Sequence, residues 1–246
     1  MKQKRIFLGR FAIAVLSVFV LFSGCVERTT PEEAQKVIGE VTPESVQFDD
    51  SQAKPSTQQN YYFVFDGSGS MNESCARDSK ITWAKEAFRR FLSKVPEDVN
   101  LGLYVFDNDG AREVVPLGAD NRDALSRAIK DVNPENNTPL SEAMIFAADQ
   151  LVKQYKHQLG YGKYKIIPIT DGEANGGVSI EEAARYIAKF GFISVNTIGL
   201  CMERDHSLRV YSYSYRAAND YQALEKALEE TLAETDVFEP KFVEKK

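Results

Sequence analysis

Along this chain, short unbroken apolar runs alternate with stripes of apolar residues spaced three and four apart. Tyr61-Tyr62-Phe63-Val64-Phe65 is aromatic and β-branched throughout and ends at Asp66, which predicts a strand buried on both faces. Ile81, Ala84, Ala87, Phe88, Phe91, Leu92 and Val95 then recur at helical spacing and stop before Pro96. Trp83, beside that stripe, reads as packing rather than as a ligand platform. A second strand is expected over 101–106. Asp107-Asn108-Asp109-Gly110 follows it as a hairpin turn into a short strand over 113–117. A helix over 121–132 leads to the polar loop 133–139. Pro139 suits the start of a helix striped by Leu140, Ala143, Met144, Ala147, Leu151 and Tyr155. The rest reads as a strand over 164–170, a helix over 180–190, strands over 193–199 and 210–215, and a last amphipathic helix over 221–234. Strands alternating with helices, with one hairpin among them, predict an α/β layered sheet.

The ends of the chain read differently. Lys2, Lys4, Arg5 and Arg10 precede an apolar run from Phe11 to Phe22, closed by Ser23-Gly24. That is the build of a secretory signal peptide, and the run falls short of the roughly 20 residues a membrane-spanning helix needs. Residues 26–60 are rich in Glu, Gln, Pro, Ser and Thr and read as a tether with a short helix over 31–38. Residues 235–246 read as a frayed tail. The organisation expected is therefore 1–24 signal peptide, 25–60 tether, 61–234 folded domain and 235–246 tail. The formal charge is −6, and losing residues 1–24 removes four cations and no acids, leaving −10. With no basic patch to offset it, that balance argues against nucleic acid as a partner.

Leu21-Phe22-Ser23-Gly24-Cys25 resembles the lipobox of bacterial lipoproteins, with Phe22 where the family usually has Leu. The resemblance implies cleavage before Cys25, acylation of that cysteine and anchoring to a membrane through several acyl chains. Val26 after the cysteine points by family analogy to the outer rather than the inner membrane, at the periplasmic or the cell-surface side. Cys75 and Cys201 then remain in an oxidising compartment. Both lie just past predicted strand ends, which allows a disulfide between them; two separate buried thiols are the alternative.

The chemistry concentrates after the first strand. In Asp66-Gly67-Ser68-Gly69-Ser70 the glycines permit a tight turn, so that three hard oxygen donors can converge on Mg²⁺, Mn²⁺ or Ca²⁺. Taken alone, these residues read equally as a Gly/Ser turn with an exposed acid. The 164–170 strand also ends at an acid, Asp171, and ligands in open α/β sheets bind outside such strand ends. The Asp107–Gly110 turn lacks further calcium ligands. Residues 171–182 have calcium-loop spacing, but a strand rather than a helix precedes them, and Glu181 and Glu182 suit a helix N-terminus instead. Enzyme readings fail position by position. Asn72 stands where a dinucleotide fingerprint needs Gly, and Ser68 where a haloacid-dehalogenase-type phosphatase needs its second acid. His157 and His206 are expected at the surface, on a helix and a loop.

Together, Asp66-x-Ser68-x-Ser70, the distant Thr138 and Thr170-Asp171-Gly172 resemble the von Willebrand factor type A domain and its metal-ion-dependent adhesion site. The resemblance spans about residues 61–234. It implies a Rossmann-like fold: a doubly wound, mostly parallel sheet with one antiparallel edge strand and helices on both faces. It also implies that Ser68, Ser70 and Thr138 bind Mg²⁺ (or Mn²⁺ or Ca²⁺) through hydroxyls, with Asp66 and Asp171 acting directly or through water. The expected partner is a protein offering an Asp or Glu to the metal, with no catalysis. The alternatives are an envelope assembly domain whose metal only stabilises the fold and, less favoured, a metal-dependent phosphatase. Asn136-Asn137 stand before Thr138 where many relatives have two glycines; Asn tolerates unusual backbone angles next best. Segments 71–80, 133–138 and 173–178 are expected to form the rim that selects the partner.

Overall fold

A computed structural model of the chain describes residues 52–75, 77–202 and 206–233. The expected signal peptide, Cys25, the expected helix over 31–38 and the expected tail lie outside the described residues.

The first strand, β1 (Gln59–Asp66), is followed by a 3-10 turn (Gly69–Asn72) and a two-rung hairpin, β2 (Ser74–Cys75) and β3 (Asp78–Ser79). Then come α1 (Lys80–Leu92), β4 (Asn100–Asp107), β5 (Gly110–Gly118), α2 (Arg122–Asp131), α3 (Leu140–His157) and β6 (Lys163–Thr170). The chain continues through α4 (Ile180–Ala188), β7 (Ile193–Leu200), α5 (Leu208–Tyr211), β8 (Ser214–Ala218) and α6 (Tyr221–Ala233). Six strands form one sheet in the order β5-β4-β1-β6-β7-β8; β5 runs antiparallel at one edge and the other pairings are parallel. This is the doubly wound α/β arrangement expected.

β1 lies inside the sheet, so its alternate side chains fill two cores. Tyr61, Phe63 and Phe65 pack with α1, α2 and α6, whereas Tyr62 and Val64 pack with α3, α4 and α5. Phe63 meets Phe88 edge-on at 4.9 Å between ring centroids and Phe91 at 5.7 Å. Trp83 belongs to this core. Asn108 and Asp109 turn the hairpin, with Gly110 at φ 87°, a conformation that glycine adopts without strain.

Two expectations need correction. The strand expected over 210–215 begins at Ser214, and Val210 and Tyr211 belong to the helical turn α5. The alternating tyrosines mimic a strand there. Burial of Leu208 and a hydrogen bond from its N–H to His206 Nδ1 (3.0 Å) stabilise the turn, and β8 takes its register from Asn196↔Ser214 on β7. The folded unit also starts before residue 61. Lys54 N–H donates to His157 O (2.9 Å), and the buried Gln158 amide donates to Ser56 O (2.8 Å) and Gln58 O (3.1 Å). The chain does turn tightly after β1, and it does so with neither Gly67 nor Gly69 at positive φ. Gly67 is needed for close approach instead: a Cβ there would lie 2.9 Å from Phe106 O and 2.7 Å from Val132 Cγ1. Gly69 has open space around it.

Candidate metal centre

The metal-binding residues expected from sequence come from three loops at the carboxyl ends of β1 and β6, where the chain, after building out through β4 and β5, crosses to the other side of β1. Asp66 ends β1 and is fully buried. Its Oδ1 accepts from Ser68 N–H (2.8 Å) and its Oδ2 from the Thr170 hydroxyl (2.5 Å). Ser68 Oγ lies 3.1 Å from Ser70 Oγ, and Ser70 Oγ donates to Asp171 Oδ1 (2.8 Å). Four of the five residues are thus linked by hydrogen bonds, through Ser68 N–H and the two serine hydroxyls. Burial pushes the Asp66 carboxyl up to about 6; hydrogen bonds from Ser68 and Thr170 pull the other way, and the charge of Asp171 adds to the rise.

Thr138, the fifth, is buried in the loop before α3 and held through its backbone. Its N–H donates to Asn175 Oδ1 (2.7 Å) and its carbonyl accepts from Asn175 N–H (3.0 Å). Its hydroxyl makes no hydrogen bond among the described residues, which leaves it available as a donor to a cation. The same loop is tied to the first motif: Gly69 N–H donates to Asn136 O (3.3 Å) and Glu135 N–H to Gly67 O (2.9 Å). Asn136 adopts φ 68°, the strained conformation a glycine would otherwise take, and its amide donates to Asp107 O (3.0 Å).

The remaining acids have other work. Glu182 accepts from Ser179 N–H (2.9 Å) and Ser179 Oγ while the Ser179 hydroxyl caps Glu182 N–H, so it opens α4 in a capping box rather than a calcium loop. Asp107 is spent on Asp109 N–H (3.0 Å), Arg112 (2.6 Å) and Asn133 N–H (3.3 Å). Glu142 Oε1 accepts from Gly177 N–H (2.6 Å) and Val178 N–H (3.2 Å), docking the loop after Asp171 onto α3.

Two neighbours of the site have roles that the sequence reading did not assign: Lys80, expected on the rim, and His206. Lys80 Nζ lies 2.8 Å from Asp171 Oδ2 and 3.0 Å from Glu73 Oε2. Burial disfavours its ammonium, but the hydrogen bonds and charges of Asp171 and Glu73 outweigh that and hold its pKa above the ordinary lysine value. A signal existed: Lys80 falls on the same helical stripe as Ala84, Ala87 and Phe91. His206, expected at the surface, is buried; His157 is exposed as expected. Since His206 Nδ1 accepts from Leu208 N–H, its Nε2 carries the hydrogen and donates to Gly172 O (2.9 Å), bracing the residue next to Asp171. Nothing in the local sequence signals this contact.

Cys75 and Cys201 form a disulfide, Cα atoms 6.3 Å apart, that joins the segment after the first motif to the end of β7. Among the described residues no three His, Cys, Asp or Glu side chains gather to hold a metal. The cluster instead offers two carboxylates and neutral hydroxyls, all hard oxygens, a set that fits Mg²⁺ or Mn²⁺ and not a soft metal.

Residues 61–173 match the family model of the von Willebrand factor type A domain. That segment is a von Willebrand factor type A domain. The von Willebrand factor type A domain here is 28% identical over 159 residues to YwmD of Bacillus subtilis (strain 168), covering 59% of this chain and 68% of that one. Among solved structures it resembles a von Willebrand factor type A protein from Catenulispora acidiphila (TM-score 0.59, 19% identity, 72% of this chain and 42% of that one). It also resembles the pilus adhesin SpaC from Lactobacillus rhamnosus GG (0.57, 14%, 75% and 31%) and the manganese-loaded TRAP protein of Plasmodium vivax (0.53, 18%, 70% and 72%). The chain thus spans less than half the length of the first two structures, and at these identities the likeness is one of fold.

Proposed function

We propose that this von Willebrand factor type A domain is a divalent-metal-dependent protein-binding module of the bacterial cell envelope. The observation that carries the reading is the position of Ser70, 3.1 Å from Ser68 Oγ and 2.8 Å from Asp171 Oδ1, which joins motifs 101 residues apart. In this reading Ser68, Ser70 and Thr138 present hydroxyl oxygens to Mg²⁺ or Mn²⁺, and Asp66 and Asp171 contribute charge directly or through water. When bound, such a cation supplies positive charge and an exchangeable coordination position for a carboxylate from outside. The chain's own part is to hold its oxygens ready. Thr170 and Ser68 N–H orient Asp66, Asn175 positions Thr138, and Glu142 and His206 brace the loop after Asp171. The partner is a protein offering an Asp or Glu, and the exposed residues of segments 71–80, 133–138 and 173–178 choose it. The manganese-loaded state of TRAP and the adhesive role in SpaC's name support the analogy.

Export through residues 1–24 and lipid attachment at Cys25 would present the domain on a tether at the outer membrane. Among the described residues no helix is long and apolar enough to cross a membrane. A Cys25→Ser protein found in the soluble rather than the membrane fraction would support the anchor; unchanged membrane association would oppose it.

The decisive experiment is a Mn²⁺ titration followed by electron paramagnetic resonance. One saturable site in the parent, lost or much weakened in Asp66→Ala and Thr138→Ala, is the expected result. No saturable binding in the parent would remove the metal from the reading.

A further inference from the structure

The site buries two carboxylates, and one cation reaches it from within the chain. α1 begins with Lys80 on its core-facing stripe, so the helix carries a charged side chain inward among apolar neighbours. The Lys80 side chain is 10% exposed and that of Asp171 0%. The two oxygens of Asp171 are divided: Oδ1 accepts from Ser70 Oγ, and Oδ2 accepts from Lys80 Nζ. Lys80 also donates to Ser70 O (3.4 Å), gripping the backbone of the first motif. Asp66, by contrast, takes only neutral donors, Ser68 N–H and the Thr170 hydroxyl.

Two buried carboxylates without a counter-charge oppose folding, and an ammonium held against one of them relieves about half of that cost. The same ammonium repels any other cation brought to the cluster. A divalent ion meets one net negative charge instead of two, and once bound it leaves the buried site with one positive charge in excess. Glu73, the other partner of Lys80, is 70% exposed, so it offsets the ammonium only in part. We propose that Lys80 is a tethered cation of the metal site: it holds Asp171 in place without metal, weakens divalent binding, and gives the loaded site a charge that only an anionic group from a partner neutralises. Lys80 is thus a positioning and affinity-setting residue. The proposal rests on the metal reading above and specifies its regulation.

The test compares the purified full chain with Lys80→Gln and Lys80→Arg by Mn²⁺ titration and by thermal melting in chelator and in saturating Mn²⁺. Glutamine keeps an N–H donor for Asp171 without the charge; arginine keeps the charge. Lys80→Gln is expected to bind Mn²⁺ about tenfold more tightly, the scale of one unit charge removed from a shielded site. It should also melt lower than the parent in chelator and recover with Mn²⁺, while Lys80→Arg stays within about twofold of the parent in affinity. Folding of Lys80→Gln only with Mn²⁺ would also support the proposal. Equal or weaker Mn²⁺ binding by folded Lys80→Gln overturns it. If Lys80→Gln folds under neither condition, Glu73→Gln decides. Removing that exposed carboxylate frees the ammonium to act on the site and should weaken Mn²⁺ binding about threefold; unchanged or tighter binding overturns the proposal. A saturable site in Lys80→Gln but not in the parent would refute a metal-loaded native site while upholding Lys80 as the competitor. No site in either removes both readings.

Discussion

Thr170 donates its hydroxyl hydrogen to Asp66 Oδ2 at 2.5 Å across 104 residues of sequence, joining the ends of β6 and β1. With Ser68 N–H on the other oxygen, the contact holds a fully buried carboxylate at the floor of the candidate metal centre. Its pKa of about 6, against an ordinary 3.8, is the net of burial over these hydrogen bonds.

The sign of the pH dependence follows. A carboxyl whose folded pKa is raised stabilises the fold below its unfolded pKa, and that stabilisation is lost as pH rises through the folded value. Metal-free protein should therefore lose on the order of 3 kcal/mol of stability through Asp66 between pH 4 and pH 7. Urea denaturation in chelator, compared with Asp66→Asn, measures this; parallel pH profiles for the two proteins would contradict it. Mn²⁺ affinity should fall as pH drops below about 6, where Asp66 takes up its proton.

Gly67 and Gly69 look alike in the motif but should respond to substitution to very different extents. Gly67→Ala drives a methyl against Phe106 O and Val132 and is expected to destabilise by about 2–3 kcal/mol. Gly69→Ala meets nothing closer than 3.9 Å and should change stability by less than about 1 kcal/mol. Equilibrium denaturation of the two variants separates them.

The Cys75–Cys201 bridge closes a loop of 126 residues. Reduction, or the double change Cys75→Ser and Cys201→Ser, should cost about 2–5 kcal/mol. The β2–β3 segment, which carries Cys75, should then show faster amide hydrogen exchange than β1. Uniform exchange across both would mean that the bridge does not restrain the rim.

Asn175→Ala removes both the side-chain acceptor for Thr138 N–H and the orientation of that loop of the candidate metal centre. A stability loss of about 1 kcal/mol and severalfold weaker Mn²⁺ binding are expected. Unaltered Mn²⁺ binding would place Thr138 outside the metal site.

Much of this molecule was legible from short-range pattern. β1, α1, α3 and β6 stand out because one face of each helix, and both faces of each strand, must be apolar to be buried. Asp66, Ser68 and Ser70 are legible for a similar reason: they are neighbours in sequence and share one turn. The 210–215 segment misled because alternating tyrosines satisfy a strand pattern, while the contacts that select a helical turn come from His206 and β7.

Local spacing, then, was enough for most of the order of elements, the α/β layered class that follows from it and the acids at its strand ends. Such features arise between residues a few positions apart, where backbone geometry leaves few choices. The pairing of Cys75 with Cys201, the division of Asp171 between Ser70 and Lys80, and the burial of His206 against Gly172 belong to the folded molecule. Each joins side chains far apart in sequence, and its strength depends on exclusion of water, which arises only when the sheet and its helices close around the site.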